Sequence, residues 1–272
     1  MRSRYTSNPV NAAVPTAGNP GNTGDGHIMA WAVGADNTNM ESAGSPSGLY
    51  MLPNAPRGTG ISNYVMEAGA IIVNKDGQRF QNEIGSIGGG DIYEQPDKVA
   101  FVVFDSVAAT TDIVPEGAPT GRGPWICTCR YLDHWREYPG SVKEADTVEE
   151  LAAELGVSGS GLTETVNKYN SYVATGQDPD FERPDLGPGI KEPPFFGLGP
   201  GIPMITGAGG TLICNERLQV LDVFGEPIPR LYSAGSMAKS GSTSGHGISL
   251  QWACASGRKS GEFAASESPI EL

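Results

Sequence analysis

Glycine and proline punctuate this sequence along its whole length, 38 and 21 of 272 residues, with no period between them. Either residue inside a helix or strand weakens it, so the regular elements must fit between them and stay short. The missing period excludes a collagen-like chain, and the same spread excludes a low-complexity one. What remains is a turn-rich globular chain, long enough for one large domain or two modest ones and for a sizeable core.

The windows between the turns are readable. Residues 1–24 are rich in Asn, Pro and Gly and read as irregular. In "GDGHIMAWAVGAD", an apolar block around Ile28, Met29, Trp31, Ala32 and Val33 predicts a short buried helix ending near Gly34. After a second turn-rich stretch, 40–62, "AGAIIVNKDGQRFQNE" predicts a hairpin: Ala70–Val73, the turn "NKDG", then Gln78–Phe80. "KVAFVVFDS" reads as a buried strand. Thr147 and Glu150 form a capping box before a helix that Gly156 stops, and a second helix ends at Gly176. Leu162, Val166, Tyr169 and Val173 share one face of that second helix. The proline-rich "DPDFERPDLGPGIKEPPFFGLGPG" reads as a connection and a domain boundary. Beyond it, "GGTLICNE", "LQVLDV" and "RLYSAG" predict three short strands, and a long helix runs from about Ile248 to Ala265.

Charge narrows the partners. Eighteen basic against 31 acidic residues leave a net charge of −13, which argues against nucleic acid and anionic membranes. No apolar run is long enough to cross a bilayer, and "MRSRYTSNPVNAAVP" has no apolar core of a secretory signal. Cys127 and Cys129 are too close for an ordinary bridge, so the four cysteines read as free thiols in a reducing compartment. Three histidines make a multi-histidine metal site improbable, and no metal is expected.

No Walker loop, zinc-protease motif or nucleophile elbow is present, and neither is Gly-x-Gly-x-x-Gly after a strand. "GAGGTL" is glycine-rich but precedes a strand rather than a helix. Three stretches carry chemistry. In "TGDGH", Asp25 reads by default as a helix N-cap. In "NKDGQRFQNE", Arg79 and Glu83 read as surface or paired charges. In "GSTSGHGISL", small residues let a ligand approach a helix N-terminus, whose free N–H groups and dipole favour electron-rich atoms. Ile248, Leu250, Trp252 and Ala253 there suggest a buried helix start.

Taken in order, "TGDGHIMAWAVGAD", "GAIIVNKDGQRFQNE", the 147–185 helical stretch and "GGTLICNERLQVLDVFGEPIPRLYSAG…GRKSGE" resemble the flavoprotein subunit of the fumarate reductase/succinate dehydrogenase family, most closely its soluble bacterial branch. The resemblance covers about residues 18 to 266. It implies an α+β chain: a partial Rossmann-like FAD-binding domain, residues 1–49 and 204–272, with an inserted α+β capping domain, residues 50–203. It also implies FAD as cofactor and hydride transfer between flavin and substrate. The flavin positions carried over are Asp25, Thr206 (for a family histidine), Ser236 (for a family glutamate), Ser249 and Leu250.

Two departures from the family are as informative. Its N-terminal portion, with the Gly-x-Gly-x-x-Gly turn and the acidic residue for the ADP ribose, is not in this sequence. A separate chain supplies that half, or the chain is a fragment. As written the chain reads as cytoplasmic, and an export signal would belong to that N-terminal portion. The dicarboxylate machinery is also replaced. The proton-donating arginine falls at Ile87, the two substrate histidines at Tyr50 and Ile205, a threonine-glutamate pair at Ser62 and Asn63, and the clamping arginine near His246. A doubly charged substrate in a dry site needs cationic partners. The expectation is therefore a small-molecule substrate that is unsaturated, not a dicarboxylate, less charged and larger than fumarate, with Tyr50 and His246 as proton donors or hydrogen-bond partners. The competing expectations are a catalytically inactive truncated flavoprotein or binding module, and a flavoenzyme of the ketosteroid dehydrogenase type.

Overall fold

A computed structural model describes residues 13–16, 21–40, 47–50, 64–84, 89–111, 128–205, 210–238 and 248–268. Along the chain the elements are α1 Asp25–Ala32, β1 Asn37–Thr38, β2 Ser47–Tyr50, α2 Tyr64–Glu67, β3 Ile71–Val73, α3 Gly89–Tyr93, β4 Ala100–Phe104, α4 Ser106–Thr110, α5 Thr128–Arg136, β5 Val142–Ala145, α6 Val148–Leu155, α7 Gly159–Thr175, β6 Phe195–Met204, β7 Thr211–Leu212, β8 Gln219–Leu221, β9 Pro227–Tyr232 and α8 Ile248–Ala265. A 3-10 turn, Gly235–Ala238, precedes α8. The class is α+β. Two units divide the chain: Met1–Ala13, Gly18–Gly44 and Gly207–Leu272 form one, and Val14–Ala17 with Ser45–Thr206 form the other.

The second unit is built on one antiparallel sheet. β6 lies at its centre, paired with β4 on one side and with β5 and β2 on the other, and β3 pairs with β4. Alternation along the strands sends successive side chains to opposite faces. Ile72, Val102, Phe104, Phe196 and Leu198 join Met66, Ile92, Leu132 and Trp135 in one core. Ile71, Val73, Phe101, Val103 and Phe195 join Leu151, Leu155, Leu162, Val166 and Tyr169 in the other. Helices therefore cover both faces, which is why β3 and β4 are continuous apolar runs rather than alternating ones.

The helical readings match in detail. Thr147 and Glu150 make both capping-box hydrogen bonds, and Gly156 and Gly176 close α6 and α7 in the left-handed region. The hairpin differs. The turn closes through Asn74 N–H to Gln78 O at 3.0 Å, but the second arm contributes only an isolated bridge, Val73 to Arg79, and β3 takes β4 as its sheet partner. The cause lies in packing: Gly77 and Gly161 bring the turn so close to the start of α7 that a Cβ on either would strike backbone.

The proline-rich stretch is not simply a connection, since its second half is the central strand. A proline there removes a ladder donor. β6 accommodates it with a bulge: Val102 opposes Leu198, the next registered pair is Ala100 with Gly201, and Gly199–Pro200 lies between.

The first unit is thinner. Its core is Ala30, Ala35, Leu212 and Val220, with Cys214, Ile228, Leu231 and Met237 packed against it. β1 pairs with β7, and β8 with β9. Two expectations fail here. α1 is not buried, since Ile28, Met29 and Val33 are 55%, 66% and 57% exposed. The start of α8 is not buried either, since Leu250 is 72% exposed. Among the described residues no helix is long and apolar enough to cross a membrane.

Candidate functional site

In the first unit, three elements meet. Gly26 at the start of α1 packs on Met237 of the 3-10 turn so closely that a Cβ would stand 2.5 Å from the Met237 sulfur. The same turn is held to α8. Trp252 Nε1–H donates to Gly235 O at 3.0 Å, Gly235 N–H donates to Ser256 Oγ at 2.9 Å, and Ser256 Oγ–H donates back to Trp252 O at 2.5 Å. Gly235 takes a positive φ of 60° to make this corner. One face of α8 thus fixes the peptide ahead of Ser236.

Three of the positions carried over for the cofactor lie on these elements. Asp25, Ser236 and Leu250 stand on α1, the turn and α8, and all three are exposed. Asp25 is not the N-cap. That position is Gly24, at φ 92°, with no side-chain hydrogen bond, and Asp25 is the first helical residue, where a carboxylate suits the helix dipole. Thr206 and His246 lie outside the described residues, as do Ser62, Asn63 and Ile87. Tyr50 and Ser249 are described only in their backbone, Tyr50 in β2 opposite Ile202 and Ser249 in the first turn of α8.

How these residues fit FAD follows from the donors present. The N-terminus of an eighteen-residue helix, an exposed serine and an uncapped α1 N-terminus suit the electron-rich ring of a flavin. Among the described residues, His27 Nε2 is buried with no hydrogen-bond partner. Among the described residues no strand–glycine turn–helix is present to cradle a pyrophosphate. The residues fit the flavin end of the cofactor and not its nucleotide end.

Sequence reasoning missed Gly26, Met237 and Ser256, which organise the site, and read Trp252 only as part of a buried helix start. The signal was the i, i+4 spacing of Trp252 and Ser256 on an otherwise small and charged helix. It also misplaced Arg79 and Glu83. They are paired, as one of the two readings had it, but not at the surface. Arg79 grips Glu83 through two hydrogen bonds of 2.7 and 2.8 Å and also donates to Asp178 at 2.8 Å. Arg183 donates to Glu83 at 3.1 Å and to the carbonyls of Ala70, Met66 and Asp185. Burial works against the charge on Arg79, but its bonds to Glu83 and Asp178 outweigh that and raise its pKa. Burial is also the main reason the Tyr169 phenol, whose ring centre lies 5.0 Å from the Arg79 guanidinium and 5.4 Å from that of Arg183, is pushed up to about 12. Burial raises the Cys214 thiol to about 11, so it stays protonated and unreactive.

Comparison with known proteins fixes the class to which these elements belong. The sequence profile of the FAD binding domain family matches residues 5–250. The probable fumarate reductase Ifc3 of Shewanella frigidimarina is 32% identical over 225 residues, 79% of this chain and 33% of that protein. The urocanate reductase of Eggerthella lenta is 30% identical over 246 residues, 88% of this chain and 37% of that protein. The open conformation of a flavocytochrome c3 fumarate reductase superposes with a TM-score of 0.77 at 27% identity, over 97% of this chain and 43% of that one. The elements are those of an FAD-binding fold. The chain belongs to the FAD-dependent family of fumarate reductase-like flavoproteins, and its cofactor is FAD. It spans about a third of the length of these curated relatives.

Proposed function

We propose that this chain is the capping and C-terminal flavin-contacting part of an oxidoreductase that moves hydride between FAD and an unsaturated substrate that is not a dicarboxylate. Bound FAD supplies the hydride chemistry. The protein's part is to orient and to manage charge. The N-terminus of α8 favours negative charge on the reduced ring. Ser249 and Leu250 are assigned to face the ring carbonyls with their backbone, Ser236 and Thr206 stand at the other carried-over flavin positions, and Asp25 lies at the start of α1. Tyr50 and His246 are assigned as the groups that hold or deliver a proton at the substrate. Residues 50–203 act as the cap.

One observation carries the choice of substrate. Where the resemblance places a substrate-binding histidine, Ile205 stands 2% exposed. Its N–H donates to Pro15 O at 2.9 Å and its carbonyl accepts from the Thr16 hydroxyl at 3.2 Å. A buried aliphatic side chain in that place supplies no charge to a carboxylate, and desolvating a second carboxylate without a cation is costly. Relatives in the same family include an NADH:acrylate oxidoreductase and a vinyl phenol reductase, the latter 26% identical over 287 residues. The test is turnover by the flavin-loaded protein with a reduced dye as donor. Fumarate should give none, whereas an uncharged alkene such as a vinyl phenol should oxidise the dye. Robust fumarate turnover would sink the reading.

A further inference from the structure

The turn after β3 and the loop after α7 stand at the two sides of one stripe of α7. Gly161, Glu164, Thr165, Lys168 and Tyr172 recur every three or four residues, so they share that stripe. A hollow of about 410 Å³ lies over it, lined also by Gln78 and Arg79 of the turn and by Asp180 and Phe181 of the loop. That size suits a small molecule. The hollow lies within the second unit, and among the described residues its lining includes none of the positions carried over for flavin or substrate.

Arg79 is the reason to read this hollow as a site. Its side chain is 5% exposed, and its guanidinium lies 5.0 Å from the ring centres of both Tyr169 and Phe181. Nε and Nη2 donate to Glu83 and Asp178. Nη1 carries two further N–H groups and donates to no described residue. It is not among the fully buried unpaired atoms, so it opens on the hollow that Arg79 lines. A fixed cation with free donors suits a carboxylate. The Thr165 hydroxyl and the Gln78 amide are likewise unpaired among the described residues and add donors.

The opposite sign is present too. Glu164 is exposed and makes no ion pair or hydrogen bond with any described residue. Asp180 meets Lys168 at 2.8 Å. A multiply charged anion would face the carboxylates of Glu164 and Asp180, and a simple cation would face Arg79 and Lys168. A molecule with one carboxylate and one ammonium satisfies both sets. The half-buried rings of Tyr172 and Phe181 give its remaining part an aromatic wall.

We propose that this hollow binds an aromatic α-amino acid as its zwitterion. The carboxylate is taken by Arg79 Nη1 with Thr165 and Gln78, the ammonium by Glu164, and the ring by Tyr172 and Phe181. The loop also carries Asp178, which accepts from Arg79 at 2.8 Å, so an occupant ties turn, helix and loop together.

The test is calorimetry on the full chain with L-phenylalanine as the probe. Beside it stand 3-phenylpropionate, which lacks the ammonium, phenylethylamine, which lacks the carboxylate, and inorganic phosphate. L-Phenylalanine should bind, each half-molecule about tenfold more weakly, and phosphate should not displace it. On saturation, amide exchange should slow at 161–172 and 178–181. Glu164→Gln should weaken L-phenylalanine about tenfold and leave 3-phenylpropionate unchanged, whereas Thr165→Val should weaken both about fivefold. Both variants should keep the wild-type unfolding midpoint, which separates a lost contact from a damaged fold. No binding of L-phenylalanine up to its solubility overturns the proposal. So does binding indifferent to both substitutions, or protection confined to other segments. Equal binding of 3-phenylpropionate, or displacement by phosphate, replaces it with a plain anion site, and equal binding of phenylethylamine with a cation site.

Discussion

Glu83 is wholly buried and accepts from two arginines and from Ile72 N–H at 3.4 Å. Removing one member of such a cluster leaves buried charge uncompensated, at a cost of about 3–5 kcal/mol. Glu83→Gln should therefore lower the urea midpoint of the second unit by an amount corresponding to that range, with the slope unchanged. Tyr169 makes a pH-dependent prediction. Its hydroxyl donates to Leu186 O at 2.6 Å, and its pKa rises from 10.0 to about 12. A raised folded-state pKa means its stabilisation is complete below pH 10 and is lost as pH climbs from 10 through 12, by about 3 kcal/mol at most. Tyr169→Phe should cost about 1 kcal/mol near neutrality, through the unpaired Leu186 carbonyl. The gap between wild type and Tyr169→Phe, measured by urea unfolding, should close as pH rises over that interval. The Arg79–Glu83 pairing was one of two readings open in the sequence, but its burial was not legible, because Asp178 and Arg183 lie 99 and 100 positions from their partners, and the bond from Tyr169 to Leu186, 17 positions on, has no local signal either.

At the scale of elements, legibility followed locality. α6 and α7 were readable because their stop and start signals sit within a turn of the residues they govern: Thr147 with Glu150, Ser158 with Gly161, Gly156 and Gly176 at the ends. β6 was hidden because its partners are remote and its prolines argue against a central strand. The flavin positions were legible only through resemblance. Nothing local in "SAGS" announces that Gly235 is fastened to Trp252 and Ser256. Asp105 shows what joins such elements. Buried to 1%, it caps α4 by accepting from Val107 and Ala108 N–H at 3.1 Å each, and accepts from Lys191 and Glu192 N–H at 2.9 and 3.1 Å. Losing the cap costs about 1 kcal/mol, and the stranded amides add a similar amount or more. Asp105→Ala should thus cost about 3 kcal/mol, and hydrogen exchange should quicken at residues 107–108 and 191–192 together. Loss of protection at the cap alone would show that the carboxylate does not couple the two segments.

Across the whole molecule the two units differ in how much core they hold. Among the described residues the second has an extensive core on each face of its sheet, whereas the core cluster of the first is four buried residues with a few partly buried neighbours. Stability is distributed accordingly. In native-state hydrogen exchange β4 and β6 should be the slowest segments, and β8, β9 and α8 should open at far lower denaturant. Equal protection in both units would contradict that distribution.

One pairing in the second unit reaches beyond stability. Ser47, near the start of the 45–206 segment, and Met204, near the end of that segment, are register partners in neighbouring strands. Adjacent strands lie about 4.8 Å apart. The polypeptide therefore leaves and returns through nearly the same point, and a gap that narrow can be bridged by two or three residues. A segment of this size whose ends meet can be lifted out or exchanged for another of different length without stretching the chain on either side, so the part of the molecule assigned to the substrate is free to diverge as a cassette.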